Sequence, residues 1–339
     1  MNVPTAAAWA ERHQVAVYLV AIAAAVLVGW TAPGAPSLAP AVTPVLGLLL
    51  FATFLAVPFA ALGRAFADLR FLTALLVVNF GVVPIVVLGL SRAVAGHEAL
   101  LLGVLLVLLA PCVDYVIVFT GLAGGAADRL LAAAPLLMLA QMLLLPVYLL
   151  LLAGPQAVAL VEPGPFVEAF VLLILLPLAA AALVQRAASR SAAARRLESA
   201  AAAAMVPLMA LTLFTVIASQ VRGVGEQLTD LAVVVPLYAG FLVLMVPIGM
   251  VAARFARLDV PASRALVLGG ATRNSLVVLP LALALPERLA LTPFVVVTQT
   301  LVELVGMVVL VRLVPALVRA RDPRHSGKST PSDRKAPRP

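Results

Sequence analysis

A chain of 339 residues that is 64% hydrophobic and 11% charged, with a mean hydropathy of +1.14, carries too much apolar surface to stay dispersed as a water-soluble domain. A net charge of +8 and a pI near 10.7 suit nucleic acid in principle, but the basic residues fall in short breaks between apolar runs and in the tail, so no nucleic-acid partner is expected. One cysteine excludes an internal disulfide framework and, alone, a structural zinc site.

The composition predicts an all-α polytopic membrane protein. Apolar runs of about twenty residues, enough to cross roughly 30 Å of hydrocarbon, recur ten times. They fall near 14–32, 41–63, 71–91, 99–122, 130–153, 165–185, 200–220, 231–253, 263–285 and 290–317. The first is already of spanning length and follows a mixed stretch without signal-peptide character, so it is expected to remain as a transmembrane helix. With ten spans, nineteen of the twenty-three basic residues lie on the side of the N-terminus, among them Arg129, the cluster Arg186, Arg190, Arg195 and Arg196, and the tail. Arg92, Arg222 and Arg288 lie opposite, and Arg273 falls within a span. This asymmetry predicts cytoplasmic N- and C-termini. Arginine far outnumbers lysine and alanine is abundant, as in GC-rich bacterial genomes, which makes the cell inner membrane the expected location. Residues 1–318 form one transmembrane domain, and 319–339 a basic, Pro-rich cytoplasmic tail too polar to fold, serving as a topology anchor or as a contact for anionic membrane lipids.

Polar interruptions single out four spans. The fourth reads APCVDYVIVF, placing Pro111, Cys112, Asp114 and Tyr115 inside a lipid-length run. The fifth carries Gln141. The ninth carries Thr272, Arg273, Asn274 and Ser275, and the tenth Gln299 and Glu303, one helical turn apart and therefore on one face. Asp114, Glu303 and Arg273 are the ionisable groups deep in spans; each costs about 2.5–3.5 kcal/mol on insertion scales and must face protein or water. Two readings stand for Asp114 and Arg273: an ion pair that fixes two broken helices, or a substrate site in which Arg273 is a tethered cation and Asp114 gains and loses a proton. Glu303 is either an ion-coupling carboxyl, with Gln299 and Gln141 beside it, or a group held by a neighbouring backbone or hydroxyl. Gln141 is also read as a helix-packing hydrogen bonder. Cys112 is either a small hydrophobe or a soft ligand for a metal or metalloid. No cofactor is expected, and no H-E-x-x-H or G-x-S-x-G pattern suggests an enzyme.

A repeat lies in the apolar background. The order PCVDYVIVF, ADRL, PLLMLAQ is followed by ATRNSLVVL, PERL, PFVVVTQ; Pro135 precedes Gln141 as Pro293 precedes Gln299, and Asp128-Arg129-Leu130 matches Glu287-Arg288-Leu289. A duplicated unit of five spans must insert in opposite orientations, so the halves, about 14–153 and 164–318, are expected to be inverted repeats. Secondary transporters built this way bind their solute near the midplane, between interrupted helices.

The APC followed by VIVF in the fourth span, the Asn in the ninth and Leu301-Val302-Glu303 in the tenth are similar to the Acr3-type arsenite efflux permeases, which belong with the bile acid:sodium symporter superfamily. The resemblance covers residues 14 to 318. It implies ten spans in inverted five-span repeats with the fourth and ninth helices broken and crossing. Cys112 then matches the metalloid-associated cysteine and Asn274 a polar residue of the ninth-helix crossing. This chain departs in having Arg273 for the first of two asparagines, Ser275-Leu276 for the Phe-Glu pair after them, and Asp114 after the cysteine. The function implied is secondary active transport: proton-coupled efflux of arsenite or a similar small solute, or, as the alternative, sodium-coupled uptake of an organic anion.

Overall fold

The computed structural model describes Trp9 and residues 13–56, 67–113, 115–159, 171–224 and 229–319. Helix α1 (Gln14–Thr31) ends at Ala32, whose extended backbone is the conformation favoured before Pro33. A 3-10 turn leads into α2 (Ala39–Ala56). Asp68 starts α3 (Leu69–Val77) by accepting the Phe71 N–H at 3.1 Å. A π turn at Val78–Val82 then passes the chain to α4 (Val83–Ser91), where Pro84 lacks the N–H an α-helix needs.

The fourth expected span is two helices, α5 (Glu98–Leu108) and α6 (Tyr115–Leu122). Helix α7 (Ala127–Ala159) is interrupted at Gly154, whose φ of 81° suits a residue without Cβ. A second π turn, Val171–Leu175, precedes α8 (Leu176–Ala188), followed by α9 (Ala192–Val224) and α10 (Leu231–Phe255). The ninth expected span is again two helices, α11 (Val260–Ala271) and α12 (Ser275–Leu283). Helix α13 (Thr292–Leu317) closes the described chain.

Among the described residues six helical stretches are long and apolar enough to cross a membrane, and α1, α5 and α8 are shorter apolar helices. No β-strand occurs among the described residues. The protein is therefore an all-α, multi-pass membrane protein. Pro293 opens α13 whereas Pro135 lies inside α7, so the shared proline-to-glutamine spacing comes without a shared helix start.

The helices pack mainly in two groups. Helix α9 lies along α1 and α2, with α8 against α2 and α9. In the other group α10 packs on α11 and α13, α13 on α5 and α12, and α7 on α5 and α6. Contacts of α12 with α2 and of α13 with α1 join them. Helices in lipid approach closely where small residues face each other. Gly103 of α5 is such a place: a Cβ there would lie 2.6 Å from the Val295 side chain and 3.2 Å from the Thr292 carbonyl. Gly103→Val is expected to overpack this contact by about 1–3 kcal/mol. Thermal unfolding of the purified protein should show a fall of several degrees, while Gly89→Ala, in open space, should show none.

Where α10 turns into α11, Arg129 ties three helix starts together. Its guanidinium donates to Asp68 and Asp259 at 2.8 Å each, and Asp259 itself caps α11 by accepting the Ala262 N–H. This ion-pair network is part-exposed, so it orients the segments more than it stabilises them.

Candidate functional site

Helices α5 and α11 stop inside the protein, and each leaves backbone groups without an intrahelical partner. Buried away from bulk solvent, such groups need partners within the protein. The two broken segments satisfy each other: Pro111 and Arg273 form an antiparallel bridge, in which the Cys112 N–H donates to the Thr272 carbonyl at 3.3 Å and the Asn274 N–H to the Ala110 carbonyl at 2.7 Å. The fourth and ninth segments are thus interrupted and in contact. Pro111 is suited to this bridge because the strand-like pairing asks nothing of its missing N–H.

The remaining amide, the Arg273 N–H, turns to α13 and donates to Glu303 at 2.8 Å. The same carboxylate oxygen accepts from the Gln299 side-chain amide, so the i, i+4 pair seen in the sequence does share one face and one bond. A hydroxyl contact lies beside it, with Thr300 donating to Ser275 at 2.7 Å. All of these groups are buried.

The Arg273 side chain, fully buried, shows why a cation is tolerated here. It donates to the Leu108 carbonyl at 3.3 Å, to the Gly269 carbonyl at 3.4 Å, to the Gly270 carbonyl at 2.6 Å and to Asn79 Oδ1 at 2.8 Å. The first belongs to the last turn of α5 and the next two to the last turn of α11. Each helix C-terminus carries roughly half a negative elementary charge, so one guanidinium serves as counter-charge to both. Its carbon also lies 5.3 Å from the centroid of the Phe241 ring, within cation–π range.

Helix α12 starts with its own cap: Asn274 Oδ1 accepts the Val277 N–H at 3.2 Å. The Asn274 amide nitrogen, Gln299 Oε1, Gln141 Oε1 and Thr120 Oγ are buried with no hydrogen-bond partner among the described residues. Buried polar atoms left in this state call for an explanation, of which a bound polar solute or water is one.

The structure brings together Cys112, Arg273, Asn274, Ser275, Gln299 and Glu303. Cys112 is completely buried on the bridge itself. Tyr115 begins α6 and Gln141 is buried on α7. Asp114 lies outside the described residues, as does the tail beyond Arg319. Two partners of the Arg273 side chain were missed by sequence reasoning. Asn79 sits in the π turn, where its amide also donates to the Leu75 carbonyl, and Phe241 faces the guanidinium from α10. A lone asparagine in the run VVNFGVVP was the available signal for the former; an aromatic residue in α10 gave none.

Comparison with curated proteins finds no significant match. The family model described as "Sodium Bile acid symporter family" matches residues 43–230, more than half of the chain, from α2 through α9 and including the first broken segment. With that coverage, the chain belongs to the sodium bile acid symporter family.

Proposed function

We propose that this membrane transporter has ten spans in two inverted five-span repeats, about 14–153 and 164–318, with both termini cytoplasmic in the inner membrane. We further infer that it expels arsenite, or a similar small metalloid solute, in exchange for protons. The observation that carries the reading is the pairing of two interrupted helices beside the buried polar atoms of Asn274 and Gln299, which keep unused hydrogen-bonding capacity. Trivalent arsenic at neutral pH is mostly the uncharged As(OH)3, so uphill export needs a second ion. Glu303, and Asp114 two residues after the cysteine in sequence, are the carboxyls suited to carry a proton. Arg273 already supplies a fixed cation at the crossing, which disfavours a bound sodium there. In this reading the solute enters between the two packing groups, contacts Cys112, Tyr115, Asn274 and Ser275, and leaves when one group rocks against the other.

Everted vesicles, acidic inside, are expected to accumulate arsenite, and Cys112→Ser should cut the initial rate by about tenfold, the loss of one soft ligand's worth of capture. The substitution is nearly isosteric, so folding should be kept. An unchanged rate removes the thiol from the mechanism.

Sodium-coupled uptake of an organic anion is the second reading, favoured by the family match and by the attraction of a guanidinium for carboxylates and other oxyanions. Transport that requires sodium and ignores the pH gradient would decide for it.

A further inference from the structure

A groove runs along the surface of the protein between α3 with its π turn and the last half of α10. It has a volume of about 900 Å3, and its walls are apolar, with Val77, Val78 and Val82 on one side and Pro247, Val251 and Phe255 on the other. It exists because both walls bend: the π turn widens one, and Pro247 interrupts the hydrogen bonding of the other. One end is basic. Arg70 lines the groove there, and an adjoining pocket of about 730 Å3, which shares Pro247 and Val251 with it, carries Arg254, Arg257 and Arg319.

Among the described residues Arg70, Arg254 and Arg257 have neither a hydrogen-bond partner nor an ion-pair partner for their guanidinium groups. The acidic residues that start α3 and α11 at this end, Asp68 and Asp259, are both taken up by Arg129. Arg257 adopts a φ of 52° just past the end of α10, a place where glycine is the ordinary residue, so a side chain is carried there at a conformational disadvantage. From Arg70 to Val82 the wall is about 18 Å long at 1.5 Å per residue, a little over half of the roughly 30 Å hydrocarbon core. That is the depth of one leaflet.

We propose that this groove is a binding site for an anionic glycerophospholipid, with an acyl chain along α3 and α10 and the phosphodiester on Arg70, Arg254 and Arg257. A leaflet-deep apolar channel ending in unpaired guanidinium groups has the chemistry of such a lipid. The chain's own tail is basic in composition, so its charge does not complement this cluster.

The test is native mass spectrometry of the full chain released from micelles holding equal phosphatidylglycerol and phosphatidylcholine. Retention should favour phosphatidylglycerol by roughly tenfold or more. The triple variant Arg70→Gln, Arg254→Gln, Arg257→Gln, all at exposed positions, should lose the preference. Thr73→Trp, an exposed position in the groove wall, should reduce retention of both lipids, with circular dichroism reporting unchanged helicity. Equal retention of the two lipids by the native chain, a preference that survives the triple substitution, full retention in Thr73→Trp, or a second copy of the chain crosslinked into the groove would each overturn the proposal.

Discussion

Arg273→Met is expected to lower the thermal unfolding midpoint of the purified protein by roughly 10 °C and to abolish transport, the largest effect of any single substitution at the bridge between the two broken segments. Methionine keeps much of the side-chain length but none of the charge. The carbonyls of Leu108, Gly269 and Gly270, together with Asn79 Oδ1, then face each other without a donor in a place that water does not supply. Removing one side of a buried charge arrangement costs about 3–5 kcal/mol, because the groups left behind keep their desolvation penalty. The negative ends of α5 and α11 also lose their shared counter-charge. Arg273→Lys separates the contributions: an ammonium keeps the charge but cannot fork between two helix ends and an asparagine, so its midpoint should fall between native and Met. A Met variant as stable as the native protein would show that the guanidinium is not what holds the two helix ends together.

Glu303→Gln is expected to uncouple transport without unfolding the protein. The amide oxygen of glutamine still accepts the Arg273 N–H, so the ninth segment keeps its bond to α13, but an amide side chain does not take up or release a proton. A gradient of one pH unit stores about 1.4 kcal/mol per proton. A one-for-one exchanger in everted vesicles, acidic inside, therefore accumulates solute about tenfold at equilibrium, and the Gln variant should bring that ratio to about one. Exchange of labelled for unlabelled solute, which needs no net proton movement, should persist. Glu303→Ala also removes the acceptor and is expected to lose thermal stability, which separates the structural role of the carboxylate from the proton-carrying role proposed for it. Accumulation by the Gln variant equal to native would exclude Glu303 as the coupling group.

Both predictions concern groups that the apolar background made conspicuous. Arg273 and Glu303 stand out because an ionisable side chain is expensive in a spanning helix, and the four-residue spacing of Gln299 and Glu303 puts them on one face of α13, where they are bonded. The interruption near Pro111 and the one near Arg273 were legible for the same reason. What each group touches was not. In sequence Glu303 is either a coupling carboxyl or a group held by a neighbouring backbone or hydroxyl; in the structure it accepts a backbone N–H, and the coupling role is the question the Gln and Ala variants separate. Asn79 and Phe241 carried no pattern that tied them to Arg273, since one lies in the third apolar run and the other in the eighth.

The sequence by itself determined the all-helical, membrane-spanning class and the position of the breaks, because a bilayer imposes length and apolarity on each segment separately and a local window of residues reports both. Only the tertiary structure decided that Pro111 pairs with Arg273, that one guanidinium closes the ends of α5 and α11, and that a π turn brings Asn79 to it. Those partners come from distant parts of the chain. Hydropathy is a property of one segment, whereas the hydrogen bonds at the end of a broken helix depend on whichever neighbour the packing places there.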